Sequence, residues 1–401
     1  VTVDDPPKAL FRAPLAPQPR LGDEEVIDVG YIEKQRGKYR ARYRDPLGRT
    51  TSTTFARKAD AQRFLAEMET DMARGSWIDP RHSDVPLATW AEELLSLARR
   101  LSPSTQETYR RDLTKYVLPA LGAYRLGVIP PDQIENWLND ELEAGIAASS
   151  VHRHYRTLRR VLQVAVDKQK ILANPCDRVE PPRVPKREMV FLDWTQAVDL
   201  AEAHSDRYRA LIYLAVDSGM RWSELIGLRR SKLDLRLRKV RVTEQLIRLQ
   251  TGEWVRKEPK TPASIRSITI SAETAEMLAP HLQDFAGPGP DGLVFPNGAG
   301  HPIAAASFWN NHFSPAQTTS GVNCRFHDLR HSSVALAIAA GGHPKAIQAR
   351  MGHSSINVTL DRYGHLFPDL DEAIATSFGT RLADARAKRD STIVHAAFGG
   401  A

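Results

Sequence analysis

Four short stretches hold most of the residues able to do chemistry: "DSGMRWSELIGL" with Arg221, "KEPKTPASIRSITI" with Lys260, "FHDLRHSSVALAIAAGG" with His327 and Arg330, and "RMGHSSINVTLDRYGHL" with His353 and Tyr363. Singly, each has an ordinary reading. A buried tyrosine packs its ring and satisfies its hydroxyl with one hydrogen bond. A lysine in a turn faces water, and a histidine at a helix start is commonly a hydrogen-bonded partner. Together they point further. His327 and Arg330 are three apart, so on a helix they share a face and approach one ligand. Arg221 follows Gly219 between two apolar helices, a place from which a side chain is aimed into a cleft. Two arginines offer planar forks that match the non-bridging oxygens of a phosphate, and they keep their charge at any working pH. With two histidines and a lysine, the set suits a phosphodiester. The sequence has no clustered Asp and Glu of the kind that holds Mg²⁺ in a two-metal nuclease, so neither metal nor cofactor is expected.

The chain that must position these groups has 401 residues, more than one hydrophobic core normally serves, so two or three domains are expected. Its hydrophobic content of 42% is that of a soluble protein, and no apolar run reaches the length that spans a bilayer. The first residues, "VTVDDPPKALFRAPLAPQPR", lack the apolar centre of a signal peptide, and a cytoplasmic protein without a membrane partner is expected. Cys176 and Cys324 stand in no paired motif, which excludes a disulfide framework and a cysteine-rich zinc site. The net charge of +7 suggests a polyanionic partner such as nucleic acid.

Residues 1–25, rich in Pro and Ala without periodicity, read as a flexible tail. In residues 26–75, Lys38, Arg40, Arg42 and Arg44 alternate with Tyr39, Ala41 and Tyr43, which is the period of a strand with one basic and one packing face. "DPLG" supplies a hairpin turn, and Ala61, Phe64, Leu65 and Met68 follow at helical spacing, giving a small sheet backed by one helix. Seven basic residues between positions 34 and 49 favour nucleic-acid binding over a merely solvated face. Residues 76–86 read as a linker, and 87–173 as an all-helical bundle of four segments. The last of these presents His152, Arg153, His154, Arg156, Arg159 and Arg160, a cluster that is either a solvated face or a phosphate-contacting one. A Pro-rich linker over 174–188 leads to a third domain, 189–385, which opens with helices, turns strand-like in "KVRVTEQLIRL", "EWVRK" and "SIRSITI", and returns to helices. Residues 386–401 form a C-terminal tail. The fold class is therefore multidomain and mainly α, with an α+β third domain.

The ordered set Arg221, Lys260, "HDLRH", "MGH" and a tyrosine ten residues after that histidine resembles the tyrosine recombinases of the lambda-type phage integrase family. The resemblance covers nearly the whole chain. It implies an arm-type DNA-binding domain, a core-binding domain and a catalytic domain, in that order. It implies that Tyr363 attacks a scissile phosphorus and leaves a 3′-phosphotyrosyl bond and a free 5′-hydroxyl, without metal or ATP. Tyrosine's ordinary pKa near 10 lies about 3 units above neutrality, so the proton needs an acceptor. By the same resemblance His327 is the general base, Arg221, Arg330 and His353 stabilise the phosphorane, and Lys260, with Lys257 as its near competitor, protonates the departing 5′-oxygen. The bond energy stays in the phosphotyrosine, so rejoining is the reverse reaction. Its implied partners are core-type and arm-type attachment sites in double-stranded DNA, three further copies in a tetramer, a host bending factor and a directionality factor.

Three other readings are weaker. His327 and His331 stand four apart, as zinc ligands on a helix do, but no Glu follows His327 and Arg330 repels a cation. A non-catalytic DNA-binding regulator leaves the site residues unexplained. A type IB topoisomerase shares the tyrosine chemistry, and the basic N-terminal unit argues for the integrase.

Overall fold

The computed structural model describes residues 30–46, 48–75, 77–97, 101–185, 187–259, 261–366, 375–376 and 378–388. The expected tail over 1–25, Lys260 and residues 391–401 lie outside them. The chain divides into two compact units, one holding the described residues before 186 and the other those from Arg187 onward.

The first unit begins with an antiparallel sheet in the order β1 (Gly30–Gln35), β2 (Lys38–Arg44), β3 (Thr50–Phe55). The period of two in β2 sends Ala41 and Tyr43 into the interior, where Phe64 of α1 (Lys58–Ala73) meets Tyr43 and Phe55 at ring centroid distances of 5.7 and 5.2 Å. The segment read as a linker contains a one-turn helix, α2 (Pro80–Ser83), whose N-cap Asp79 accepts from Arg81 N and from Nη2 of Arg49 at 3.2 Å. Arg49 also holds Asp45 in the β2–β3 turn, at 2.8 Å, so one guanidinium ties the sheet to the segment that follows it.

The four expected helical segments are α3 (Leu87–Leu97), α4 (Pro103–Asp112) continuing through a π-helical turn (Leu113–Val117) into α5 (Leu118–Leu121), α6 (Pro131–Glu143) and α7 (Ala148–Asp167). Their core is built on Trp90, Leu113, Ile134, Leu158 and Leu162 and extends to Cys176 and Val179. The hydroxyl of Tyr155 donates to the carbonyls of Cys176 and Val179, so the start of the second Pro-rich segment is folded onto the bundle.

In the second unit α8 (Trp194–Glu202) starts at a capping box made by Asp193 and Gln196. After α9 (Asp206–Ser218) and α10 (Trp222–Leu225) come β4 (Leu233–Asp234), β5 (Lys239–Val242), β6 (Gln245–Arg248), β7 (Trp254–Lys257) and β8 (Arg266–Thr269). They form two antiparallel sheets, β4-β5-β8 and β6-β7. Then follow α11 (Ala272–Asp284), α12 (Ala305–Phe308), α13 (Ser314–Ser320), α14 (Phe326–Ala339), α15 (Pro344–Met351) and α16 (Ile356–Tyr363). The main core surrounds α9, which is buried at Leu211, Ile212, Leu214 and Ala215. A smaller cluster joins Val334, Ile338, Ile347, Met351 and Tyr363, with Met189 and Phe191 packed on it. Among the described residues no helix is long and apolar enough to cross a membrane.

Candidate active site

The site is assembled where α9 and α15 end and α10, α14 and α16 are anchored. Gly219 closes α9 in the left-handed region at φ 63°, and a Cβ there would lie 2.6 Å from Cε of Met351 and 3.0 Å from Oγ of Ser333. Only glycine fits this close approach. Two residues on, Arg221 caps α10, and the carboxylate of Glu224 receives both its backbone N–H (2.9 Å) and its Nη1 (3.0 Å).

Arg330 comes from the second turn of α14 and is buried. Its Nη1 donates to the carbonyl of Gly219 and its Nη2 to that of Met351 at 2.6 Å, so one side chain stitches together the C-terminal ends of α9 and α15. Among the described residues no carboxylate is in ion-pair contact with it. Two of its five N–H donors are used, which leaves three for a ligand. Burial and the neighbouring Arg221 and Arg266 push its pKa down to about 9, still charged at neutral pH. A buried guanidinium without a contacting carboxylate is electrostatically suited to an anion.

His353 follows α15 directly after Gly352 and is buried, with Nδ1 2.8 Å from Oγ1 of Thr359. Burial, with Arg330 and Arg221 nearby, pushes its pKa down to about 3, so the ring is neutral. His327 lies in the first turn of α14 and is exposed; desolvation and Arg330 lower its pKa. Its ring meets that of His331 edge-on at 4.9 Å. Lys260 is outside the described residues; the neighbouring Thr261 joins Ser264 by a hydroxyl contact of 3.0 Å, ahead of β8. Lys257 is the last residue of β7.

Tyr363 ends α16, whose N-cap Ser355 accepts from Asn357 N. It is only 1% exposed. Its hydroxyl donates to Nδ1 of His331 at 2.6 Å, and burial raises its pKa while Arg330 lowers it. His331 is buried, and desolvation with the adjacent His327 pushes it down to about 4, so the ring is neutral, and in its Nε2–H tautomer Nδ1 accepts from the phenol. The structure thus brings His331 to the tyrosine hydroxyl, with His327 one ring further out. His331 enters the sequence reading only as a partner in a zinc pair; the signal that could have singled it out is its four-residue offset from His327, which puts both on one face.

Two further residues escape the sequence reading. Arg266 in β8 is buried, donates Nη2 to Oε2 of Glu224 at 2.9 Å, and donates Nε to the carbonyl of Arg350 at 2.7 Å. Glu224 is buried too; burial opposes its charge, but Arg266 and Arg221 hold its pKa below the usual carboxylate range.

The basic residues of the first unit divide. Lys38, Arg40, Arg42 and Arg44 lie on the sheet face opposite α1, beside Thr50, Ser52 and Thr54 of β3. Arg40 and Arg42 approach Glu33 of β1, at 3.6 and 3.1 Å. On α7, Arg153 is bonded to Asp112 (3.0 Å) and Arg159 to Asp177 (2.7 Å), while Arg156 is exposed and Arg160 half-buried. His154 belongs to the interior, stacked on Tyr116 at 3.9 Å and bonded to Glu141 at 2.8 Å. Cys176 and Cys324 are buried thiols whose pKa values desolvation raises to about 12.

Three family models match the chain: "Phage integrase, N-terminal domain" over residues 28–74, "Phage integrase, N-terminal SAM-like domain" over 89–169 and "Phage integrase family" over 191–369. The putative prophage phiRv2 integrase of Mycobacterium tuberculosis is 28% identical over 352 residues, which cover 84% of this chain and 92% of that protein. The integrase of Mycobacterium phage L5 is 26% identical over 363 residues, covering 86% and 96%. The fold is shared with a Tn1549 transposon integrase bound to a circular intermediate DNA (21% identity, TM-score 0.61, 74% of this chain and 99% of that one). It is also shared with a lambda integrase dimer bound to a COC′ core site (20% identity, TM-score 0.54, 85% and 96%). The family matches and the relatives define a DNA strand-transferring enzyme of the tyrosine type. The chain belongs to the tyrosine recombinase family, as a lambda-type integrase, and its activity is site-specific recombination of DNA.

Proposed function

We propose that this enzyme integrates and excises the DNA of a phage or mobile element, cutting and rejoining strands through Tyr363. The observation that carries the reading is Arg330: a buried guanidinium, bonded among the described residues to two carbonyls and no carboxylate, on the same helix as the histidine that holds the tyrosine hydroxyl. A phosphodiester seated on the three remaining donors of Arg330 comes within the set that also includes Arg221, His327 and His353. The phenolic oxygen of Tyr363 forms its bond to phosphorus, and the phenolic proton passes to His327. The bond to the 5′-oxygen breaks, and Lys260 supplies that oxygen's proton. Arg221 and Arg330 meet the charge that grows on the phosphorane oxygens, and neutral His353 adds a donor.

The domain roles follow the resemblance. The basic sheet of residues 26–75 reads arm-type sequences, the bundle of 87–173 and the catalytic domain of 189–385 clamp the core site, and four copies assemble on DNA. The sheet face supports the first role: four cations and three hydroxyl side chains on one twisted, three-stranded surface suit a DNA groove. A host bending factor and a directionality factor complete the partners, and the working compartment is the cytoplasm.

The test is a nicked suicide substrate carrying the native attachment site. Wild-type protein forms a covalent complex visible on a denaturing gel, in EDTA as in its absence. Tyr363→Phe binds the substrate and forms none; a covalent band from that variant overturns the assignment.

A further inference from the structure

We propose that His331 is the positioning residue for the nucleophile: its Nδ1 receives the Tyr363 hydroxyl and sets the phenolic oxygen on the face of α14 that also carries His327. This rests on the reading of Tyr363 as the nucleophile. Among the described residues the tyrosine ring sits in a buried apolar cluster with Val334, Ile338, Ile347 and Met351, with the rings of Phe191 and His331 at centroid distances of 6.4 and 5.8 Å. Such contacts set where a ring sits but not where its hydroxyl points, because dispersion has no direction. The hydrogen bond to His331, at 2.6 Å, is what gives the oxygen a defined place.

The acceptor is itself well held. His331 sits one residue after Arg330, whose two bonds to the carbonyls of Gly219 and Met351 fix this stretch of α14 against α9 and α15. One turn earlier Asp328 is buried and bonded to Arg325, and Ser332 Oγ accepts from the backbone of Leu192 at 2.8 Å. The helix that presents the acceptor is therefore capped at its start and held by polar contacts to Gly219, Met351 and Leu192. With His331 neutral and protonated on Nε2, the phenol is the donor and keeps its proton until a stronger acceptor is available. His327, with its ring 4.9 Å from that of His331, is placed to be that acceptor once DNA is bound.

The experiment measures single-turnover formation of the covalent complex by the full-length protein on the nicked suicide substrate, alongside affinity for the same DNA. His331→Asn puts an amide oxygen where Nδ1 stands, His331→Gln puts its amide at the Nε2 position, and His331→Leu fills the space without an acceptor. The expected result is unchanged DNA affinity in all three. The Leu and Gln variants should form the complex about 10- to 100-fold more slowly, the loss that follows from an ångström-scale misplacement of a reacting group, and the Asn variant should keep most of the wild-type rate. A wild-type rate from the Leu variant overturns the proposal. So does a faster rate, which would mark the bond as a restraint on the tyrosine. If the Leu variant fails to fold, Asn against Gln decides, and equal rates from those two overturn it. A covalent complex from Tyr363→Phe would instead remove the nucleophile assignment, whatever the His331 variants do.

Discussion

Glu224 and Arg266, which lie 42 residues apart in the chain, form a buried bidentate ion pair, and Oε1 of the same carboxylate also accepts from Nη1 of Arg221 at 3.0 Å. One carboxylate therefore balances two cations beside Arg330, and it orients the half-buried Arg221 for a phosphate. Glu224→Gln keeps the shape and removes the charge. Arg266, bonded otherwise to carbonyls, is left as a buried uncompensated cation, which costs about 3 to 5 kcal/mol. The urea midpoint of the catalytic domain should fall accordingly with little change in slope. A midpoint equal to wild type would show that solvent or backbone dipoles already compensate these arginines.

The buried histidines give the protein an acid-sensitive stability. Both His331, at about 4, and His353, at about 3, are pushed below the ordinary histidine value of 6.5 by burial and nearby cations. As pH falls through 6.5 the unfolded chain takes up protons that the folded chain refuses, so unfolding becomes easier. The stabilisation is complete above about pH 7 and drains away as the pH drops toward 4. At pH 5 each of the two has lost about 2 kcal/mol of it. Urea unfolding at pH 7.5 and 5.0 measures the drop, and His353→Asn should flatten it by that residue's share. Equal stability at the two pH values would contradict the neutral assignment of these rings.

What the sequence made legible, and what it hid, divides by the range of the interaction. Periodicity is a local signal, so β2 with its basic face, the four segments of the bundle and the order helix, strand, helix after residue 189 can all be read from spacing alone. The motifs around Arg221, His327, Arg330, His353 and Tyr363 are local as well. Their partners are not. Arg266 reaches Glu224 across 42 residues and Arg330 reaches Gly219 across 111, and neither pairing leaves a pattern in the sequence. His154 misleads for the same reason: among arginines in the chain it reads as part of a basic cluster, but its side of α7 faces Tyr116 and Glu141. The π-helical turn at Leu113–Val117 adds a residue to a helix that spacing reads as continuous.

The sheet of the first unit offers a test in salt. Lys38, Arg40, Arg42 and Arg44 share its face, and each phosphate neutralised on duplex DNA contributes about 0.9 to the slope of log affinity against log salt. Replacing all four with Ala should lower the slope for arm-type DNA by about 3 to 4 and leave core-site cleavage intact. Glu33, which engages Arg40 and Arg42, competes with the phosphates, so Glu33→Gln should tighten arm binding. A slope unchanged by the fourfold substitution would make this face a solvated surface only.

Beyond the tyrosine, residues 378–388 are helical, and every described residue among them is exposed. Phe378 is 68% and Leu382 55% exposed, and their spacing of four puts both on one side of the helix. An apolar pair displayed this way costs solvation unless something covers it, and in the tetramer proposed above the natural cover is a neighbouring copy of the same chain. Residues 389–401, the greater part of the expected C-terminal tail, lie outside the described residues, so the pair offers the sharper probe. Phe378→Ser with Leu382→Ser should leave cleavage of an isolated half-site unchanged, because neither residue contacts the buried cluster around Tyr363. It should weaken the multi-protomer complex in a native gel and slow strand exchange with it. Normal complexes and normal exchange from the double variant would show that this helix serves no partner in recombination.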